Sequence, residues 1–188
     1  KNKYNDGFPL IFPNLRSLRV NYDEAKSINI LLIGERTPIS KSWNSNESRK
    51  YMQILKFLKR SYKNPKFFLR PRLSLTKNSF YEFIDPIILD SNQLFDDQLL
   101  KLNPALVVSI KSTASKVAGY YGYNSILLFK CFNFNKSELF HLEYSFGDGA
   151  PIKFINNFSE IKEINSEKFF KKAIDKTKFK DFKKYLKK

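Results

Sequence analysis

The 188-residue chain has little of what several classes of protein require. It contains one cysteine, Cys131, and one histidine, His141, which excludes an internal disulfide framework and any metal site built from several cysteines or paired histidines. We interpret Cys131 as a buried strand thiol and His141 as a structural residue. No apolar run approaches the roughly 18 residues that a membrane span needs, and no signal peptide is visible. We therefore expect a cytoplasmic protein, with peripheral attachment to the inner membrane as the alternative.

Positive charge is what the sequence has in excess. Lysine and arginine total 34 against 18 aspartate and glutamate residues, which gives a formal net charge of +16. Such an excess favours anionic partners, namely nucleic acid, anionic lipid head groups or a phosphorylated or acidic sugar, without choosing among them. Hydrophobic content of 42% and aromatic content of 16% indicate a globular domain with a substantial core.

The apolar pattern predicts strands and helices in alternation. Short apolar runs predict strands at 28–33, 66–69, 105–110 and 125–132, with a weak edge strand at 81–89. Segments with helical spacing lie between them: a helix at about 48–62 with N-cap candidates at 44–47, a helix that carries Phe95, Leu99 and Leu102, and a helix at 114–121. Asp90 or Ser91 is predicted to cap the second of these helices, and Asn103-Pro104 is predicted to end it. This order predicts an α/β fold with a Rossmann-like, doubly wound, mostly parallel sheet.

The last part of the chain has a different pattern. Glu138–Phe146 alternates loosely and indicates a further strand, and Pro151–Ile155 is predicted to pair back as a hairpin after a glycine-rich turn. Residues 166–188 predict a basic C-terminal helix with an apolar side. Two interpretations stay open: this helix packs on the domain with its lysines in solvent, or it lies on an anionic membrane surface.

The stretch from Ala105 to Tyr123 predicts a strand, a polar turn and a helix. The apolar strand breaks at Lys111, and Ser112 or Thr113 is expected to cap the helix that follows. A capped helix start presents free backbone N–H groups and the positive end of the helix dipole, which together bind phosphate or carboxylate. Lys111 adds a positive charge beside it.

Other candidate residues also follow predicted strands. In an open parallel sheet, ligands bind beyond the carboxyl ends of the strands, so these residues are expected to share one edge. Arg70 and Arg72 suit bidentate binding of phosphate, and Asp85 suits a ribose hydroxyl or a base amino group. The full set of predicted donor-binding residues is Gly34, Arg70, Pro71, Arg72, Asp85, Ser112 and Thr113. A guanidinium pair and a capped helix facing one cleft make an anionic nucleotide the expected ligand.

Four segments carry a resemblance to a known family. The first strand ILLIGERTP (Ile30–Pro38), the helix KYMQILKFLKRSYKN, the segment FLRPRLS (Phe68–Ser74) and the turn VVSIKSTASKVA resemble the donor-binding half of bacterial sialyltransferases and polysialyltransferases of the GT-B type. The resemblance implies CMP–sialic acid as the donor, no separate cofactor or metal, and transfer by direct in-line displacement with inversion. It implies a surface polysaccharide or lipooligosaccharide as the acceptor. The positions that it assigns to the donor phosphate and carboxylate are Arg70, Pro71, Ser112 and Thr113.

The sequence departs from this family in two places. The family's histidine of a His-Pro pair falls on Arg70, and arginine binds phosphate but does not shuttle a proton near pH 7. The family's acidic base belongs to an acidic-Gly motif in its other domain. Here only Asn5-Asp6-Gly7 matches, which makes Asp6 the candidate catalytic base, with a simple Asp-Gly turn as the alternative.

These departures bear on how the chain is organised. We expect an N-terminal extension or acceptor-domain remnant at 1–27, a nucleotide-sugar-binding α/β domain at 28–165, and the basic helix at 166–188. Because almost no acceptor domain is present, the chain is expected to be a fragment, to be completed by a partner chain, or to have lost transferase activity. A first residue that is lysine rather than methionine fits a processed form or an excised piece.

Other functions fit the same residues. A phosphoglycerol-type polymerase with a cytidine diphosphate donor is a near relative of the transferase interpretation. A non-catalytic basic α/β module that binds nucleic acid or another polyanion is the alternative from a different class, because charge and abundant aromatics permit it. A plain structural or interaction domain is the third.

Overall fold

The computed structural model describes residues 28–34, 45–62, 64–72, 79–146 and 152–162 of the chain. Two predictions lie outside these residues: the N-terminal segment with its candidate base Asp6, and the basic helix at 166–188.

A six-stranded, all-parallel sheet forms the centre of the protein, in the order β3-β2-β1-β4-β5-β6. Its strands are β1 (Asn29–Ile33), β2 (Lys66–Arg70), β3 (Ile87–Ile88), β4 (Leu106–Ser109), β5 (Ser125–Leu127) and β6 (Lys153–Phe154). The central strands β1 and β4 are almost wholly buried, as expected of continuous Ile, Leu and Val runs covered on both faces. The predicted doubly wound parallel α/β fold is therefore confirmed.

Helices cover the sheet on both faces. They are α1 (Ser45–Ser61), a first 3₁₀ helix (Ser79–Ile84), α2 (Phe95–Leu102), α3 (Thr113–Tyr120), a second 3₁₀ helix (Phe129–Cys131), α4 (Lys136–Phe146) and α5 (Phe158–Ile161). In α1 the apolar side chains recur at helical spacing and are buried, which is why this segment is a helix that packs on the sheet. No helix in the described part of the chain is long and apolar enough to span a membrane.

Alternate residues of β1 divide the core into two layers. Ile30 and Leu32 pack in the layer that contains α1 and the first 3₁₀ helix. Leu31 and Ile33 pack in the second layer, on the face that carries α2 and α3. The period of two in side-chain direction along a strand produces this division.

Four sequence predictions about secondary structure are corrected. The segment predicted as a weak edge strand is mostly the first 3₁₀ helix, and only β3 pairs at the edge. The predicted strand Glu138–Phe146 is the helix α4, and the predicted hairpin at 151–155 is β6, which runs parallel to β5. A parallel neighbour requires a crossover connection, and α4 lies within it. The predicted strand at 125–132 ends at Leu127, where the second 3₁₀ helix soon follows.

At the two ends of α2, one sequence prediction is confirmed and the other is wrong. Asn103 ends the helix in the left-handed conformation (φ 42°), as the Asn-Pro signal indicates. The predicted cap by Asp90 or Ser91 is wrong, because Leu94 occupies the N-cap position without a side-chain bond. The Asp90 carboxylate instead accepts from the Asn92 N–H at 2.9 Å and shapes the preceding turn.

Candidate functional site

The carboxyl ends of β1 and β4 lie side by side at the centre of the sheet. From β1 the chain continues to β2 on one side, and from β4 it continues to β5 on the other, so the winding direction reverses between these two strands. Ile33 pairs with Arg70 and Leu32 pairs with Val108, which places the ends of β2, β1 and β4 at one level. In doubly wound sheets the crevice outside such a reversal point is where ligands bind.

The helix α3 begins at this crevice and is capped as predicted. Ser112 is the N-cap residue, and its Oγ accepts from the Ala114 N–H at 3.3 Å. The Ser112 carbonyl accepts from the Ser115 N–H at 3.1 Å. Because the cap occupies these two amides, the exposed Thr113 is the first hydroxyl and amide that a ligand approaching this helix end would meet.

A buried pair of hydroxyls holds the turn between β4 and α3. Ser109 Oγ and Ser115 Oγ lie 2.6 Å apart, and both residues are fully buried. Ser109 Oγ also accepts from the Ser112 N–H at 3.4 Å. These serines are therefore engaged inside the turn, and they fix the direction in which α3 leaves the sheet edge.

The connection from β5 to α4 borders the same crevice. The Lys111 ammonium lies 4.9 Å from the centroid of the Phe134 ring, close enough for a cation–π contact. On the α1 side, the Phe132 ring meets the Tyr51 ring edge-on at a centroid distance of 6.2 Å. Residues 132–134 thus reach from the start of α3 to α1.

A buried carboxylate fastens this connection in place. Glu47, in the first turn of α1, is 2% exposed, and its carboxylate accepts from the Asn133 N–H at 3.3 Å and from Asn133 Nδ2 at 3.4 Å. Lys50 Nζ lies 2.9 Å from the same carboxylate. The sequence placed Glu47 only among the N-cap candidates at 44–47, because its partner Asn133 is 86 positions away.

Arg70 lies at the predicted edge, but its guanidinium has protein partners. Nη1 donates to the Gln93 carbonyl at 3.0 Å and to the Gln98 side-chain oxygen, and Nη2 donates to the Ser91 carbonyl at 3.3 Å. The guanidinium also lies 5.6 Å from the centroid of the Phe95 ring. Arg70 therefore holds the loop before α2, and its predicted role in binding phosphate would require these contacts to be exchanged.

The predicted residues Gly34, Pro71 and Arg72 lie together at this edge. The Gly34 N–H donates to the Arg70 carbonyl at 2.7 Å. A Cβ on Gly34 would lie 2.8 Å from that carbonyl oxygen and 3.1 Å from Pro71 Cα, so glycine is required by the close approach of two backbone segments. Arg72 is exposed beside them.

Asp85 lies apart from the other predicted residues, which corrects the sequence prediction. It precedes β3 instead of following it, so it lies at the amino edge of the parallel sheet. Its φ of 47° is in the left-handed region, which aspartate tolerates, and its N–H donates to the Glu82 carbonyl at 3.0 Å. Asp85 is a turn residue between the first 3₁₀ helix and β3.

The single cysteine and the single histidine are both outside the crevice. Cys131 belongs to the second 3₁₀ helix, not to a strand as predicted, and its thiol donates to the Ile155 carbonyl at 3.4 Å. Burial, with a further contribution from the Glu160 carboxylate, raises the pKa of Cys131 to about 12, which makes it an unreactive thiol near neutral pH. His141 is exposed on α4 beside the Phe140 ring. Within the described ranges no three potential metal ligands lie together.

Comparison with known proteins gives no family for the chain: no protein-family model matches it, and no curated protein matches it significantly.

Proposed function

We propose that this chain is the donor-binding part of a glycosyltransferase of the sialyltransferase type, using a cytidine-nucleotide-activated sugar such as CMP–sialic acid. The observation that carries the proposal is the position of the capped start of α3 at the point where the sheet reverses its winding. The acceptor would be a glycan or glycolipid of the bacterial surface, and a partner chain is the source of an acceptor domain if this chain lacks one.

Three of the four segments that resemble the transferases support the proposal by where they lie in the sheet. The described part of ILLIGERTP contains the carboxyl end of β1, and the described part of FLRPRLS contains the carboxyl end of β2. The segment VVSIKSTASKVA contains the turn between β4 and α3. Because β1 lies between β2 and β4, the Cα atoms of Arg70 and Ser109 are about 10 Å apart, two strand spacings. This span suits one phosphorylated ligand lying across the edge.

The proposal gives distinct roles to the residues at the start of α3. Ser112 orients the helix by capping it, while Thr113 offers an exposed hydroxyl and amide to the phosphate of the donor. Lys111 supplies a positive charge beside that phosphate, and the Phe134 ring next to it limits where the ammonium can lie. Arg72 is the exposed guanidinium on the other side of β1.

The proposed reaction is a direct displacement at the sugar. An acceptor hydroxyl oxygen attacks the anomeric carbon, the bond from that carbon to the phosphate oxygen breaks, and the cytidine monophosphate leaves with the electron pair. Negative charge grows on the phosphate as the bond breaks, so the amides of α3 and the Lys111 ammonium stabilise the departing group. The hydroxyl proton passes to a base, for which Asp6 remains the sequence candidate.

A thermal-shift panel with cytidine monophosphate, other nucleotides and an oligonucleotide tests the proposal. Stabilisation by cytidine nucleotides is expected, and Thr113→Val should weaken their binding about 10- to 100-fold because one hydrogen bond to a charged group is lost. Thr113→Ser is the matched control, since it keeps the hydroxyl. The proposal would be contradicted if no cytidine nucleotide stabilised the protein, or if Thr113→Val bound cytidine nucleotides as tightly as the unsubstituted chain.

The net charge of +16 keeps a polyanion-binding module as the second candidate. Oligonucleotide binding that falls steeply with salt, without discrimination among nucleotides, would favour that function.

A further inference from the structure

The helix α4 presents an aromatic surface to solvent. Phe140 and Tyr144, one helical turn apart, are 66% and 73% exposed, whereas Leu139 and Leu142 pack partly against the core and Phe146 is buried. Exposed aromatic pairs on one face of a helix mark a surface that another element covers. We name the surface formed by Phe140, Tyr144 and the neighbouring Glu143 the α4 face.

The chain leaves the described domain close to this helix. Ile161, at the end of α5, is fully buried, and the Ile155 carbonyl just before α5 accepts from the Cys131 thiol at 3.4 Å. Cys131 ends the second 3₁₀ helix, which leads within five residues into α4. At the other end of α4, Phe146 stacks on Phe129 of that same 3₁₀ helix at a centroid distance of 6.0 Å. The segment that leads into α5 therefore contacts the second 3₁₀ helix, which is joined to one end of α4 and packs against the other.

The segment that follows has the composition that the α4 face requires. Residues 163–188 carry ten lysines against four acidic residues, and phenylalanines recur among them. If residues 166–188 form the helix that the sequence predicts, its 23 residues extend about 35 Å, which is longer than α4. On α4, the exposed Glu143 lies beside the two aromatic side chains, so opposite charge adds to the aromatic packing on this face.

We infer that residues 163–188 dock on the α4 face of their own chain. Their phenylalanines cover Phe140 and Tyr144, and their lysines lie within reach of Glu143. The Lys116 ammonium of α3 donates to the Ser145 carbonyl of α4 at 3.3 Å, so the helix that carries this face also contacts α3. This docking is independent of the proposed donor and holds whether or not the chain is a transferase.

Zero-length carbodiimide crosslinking of the whole chain, read by mass spectrometry, tests the docking. The ion pair between Lys130 and Glu143, at 3.3 Å, supplies an internal positive control and reports that the domain is folded. Docking predicts additional links within one chain from Glu143 to lysines of residues 163–188. The double variant Phe140→Ser, Tyr144→Ser should reduce these links about tenfold, the change expected for two lost aromatic contacts, while the Lys130 link persists.

Leu94→Ser is the matched control, since Leu94 is 71% exposed at the start of α2 and lies outside the α4 face. It should leave every link unchanged. The inference is overturned if Glu143 links only to Lys130, or if links to residues 163–188 form only between separate chains. It is also overturned if the double variant retains the links to residues 163–188. If these lysines form no link to α4 and instead bind anionic vesicles added to the protein, the segment binds membrane and the inference is wrong.

Discussion

The buried hydroxyl pair between β4 and α3 makes a quantitative prediction about stability. Ser109→Ala should destabilise the protein more than Ser115→Ala, although the two hydroxyls share a single hydrogen bond. The asymmetry arises because Ser109 Oγ also accepts from the Ser112 N–H, whereas no other hydrogen bond links Ser115 Oγ to a described residue. Both side chains are fully buried, so water cannot replace a lost partner.

The magnitudes follow from which groups are left without a partner. In Ser115→Ala, Ser109 Oγ keeps the Ser112 N–H, and the loss is about 1 kcal/mol, the net value of one hydrogen bond. In Ser109→Ala, the Ser115 hydroxyl is buried without a partner and the Ser112 N–H loses its acceptor, which costs about 2–3 kcal/mol. The double variant also removes the unpartnered Ser115 hydroxyl, so its free energy of unfolding should fall by less than that of Ser109→Ala alone, by about 1–2 kcal/mol.

Urea unfolding followed by circular dichroism measures these differences, provided that the m value is unchanged among the variants. In a thermal melt the same losses correspond to about 2–4 °C per kcal/mol for a chain of this size. A double variant whose loss equals the sum of the single losses would refute the reasoning, as would a Ser115→Ala loss larger than that of Ser109→Ala.

Three further predictions concern other contacts of the edge and its surroundings. Gly34→Ala should lower the free energy of unfolding by about 1–3 kcal/mol, because its Cβ meets the Arg70 carbonyl at 2.8 Å; a neutral effect in urea unfolding would contradict the close approach. Glu47→Gln should cost about 1–3 kcal/mol and speed hydrogen exchange at the Asn133 amide, because the new NH₂ group cannot accept from it; unchanged exchange there would show that the contact is not maintained in solution. Cys131 should resist alkylation at pH 8 until the protein unfolds, because burial raises its pKa to about 12. The folded state holds the proton of the Cys131 thiol more tightly than the unfolded state does, so this contribution to stability is complete below the unfolded thiol pKa and is lost as pH rises towards 12. Alkylation of native Cys131 at the rate of a free thiol would contradict this prediction.

The sheet was predictable from the sequence because its central strands are short, almost wholly apolar and bounded by breaks. In the runs around Leu31 and Val107 the only polar residues are Asn29 and Ser109 at the strand ends, so these runs fit strands buried on both faces. The part after β5 was not predictable in the same way. Phe140 and Tyr144 of α4 are exposed, so its apolar residues do not mark one buried face, and the pattern resembled a strand.

The candidate site was partly predictable for a similar reason. Ser112 carries a local signal, since a capping residue acts on amides within its own helix. Arg70 and Glu47 owe their roles to partners that are 23 and 86 positions away, and no local pattern encodes such pairs. Asp85 was misplaced because the sequence does not show on which side of it the short strand β3 forms.

Hydrogen exchange of the whole chain with and without cytidine monophosphate tests the central claim most directly. If the nucleotide binds at the reversal point of the sheet, peptides that contain Lys111 to Thr113 and the end of β1 at Gly34 should exchange more slowly, and Thr113→Val should abolish most of that protection. Protection confined to other parts of the chain, or found only with an oligonucleotide, would contradict the account.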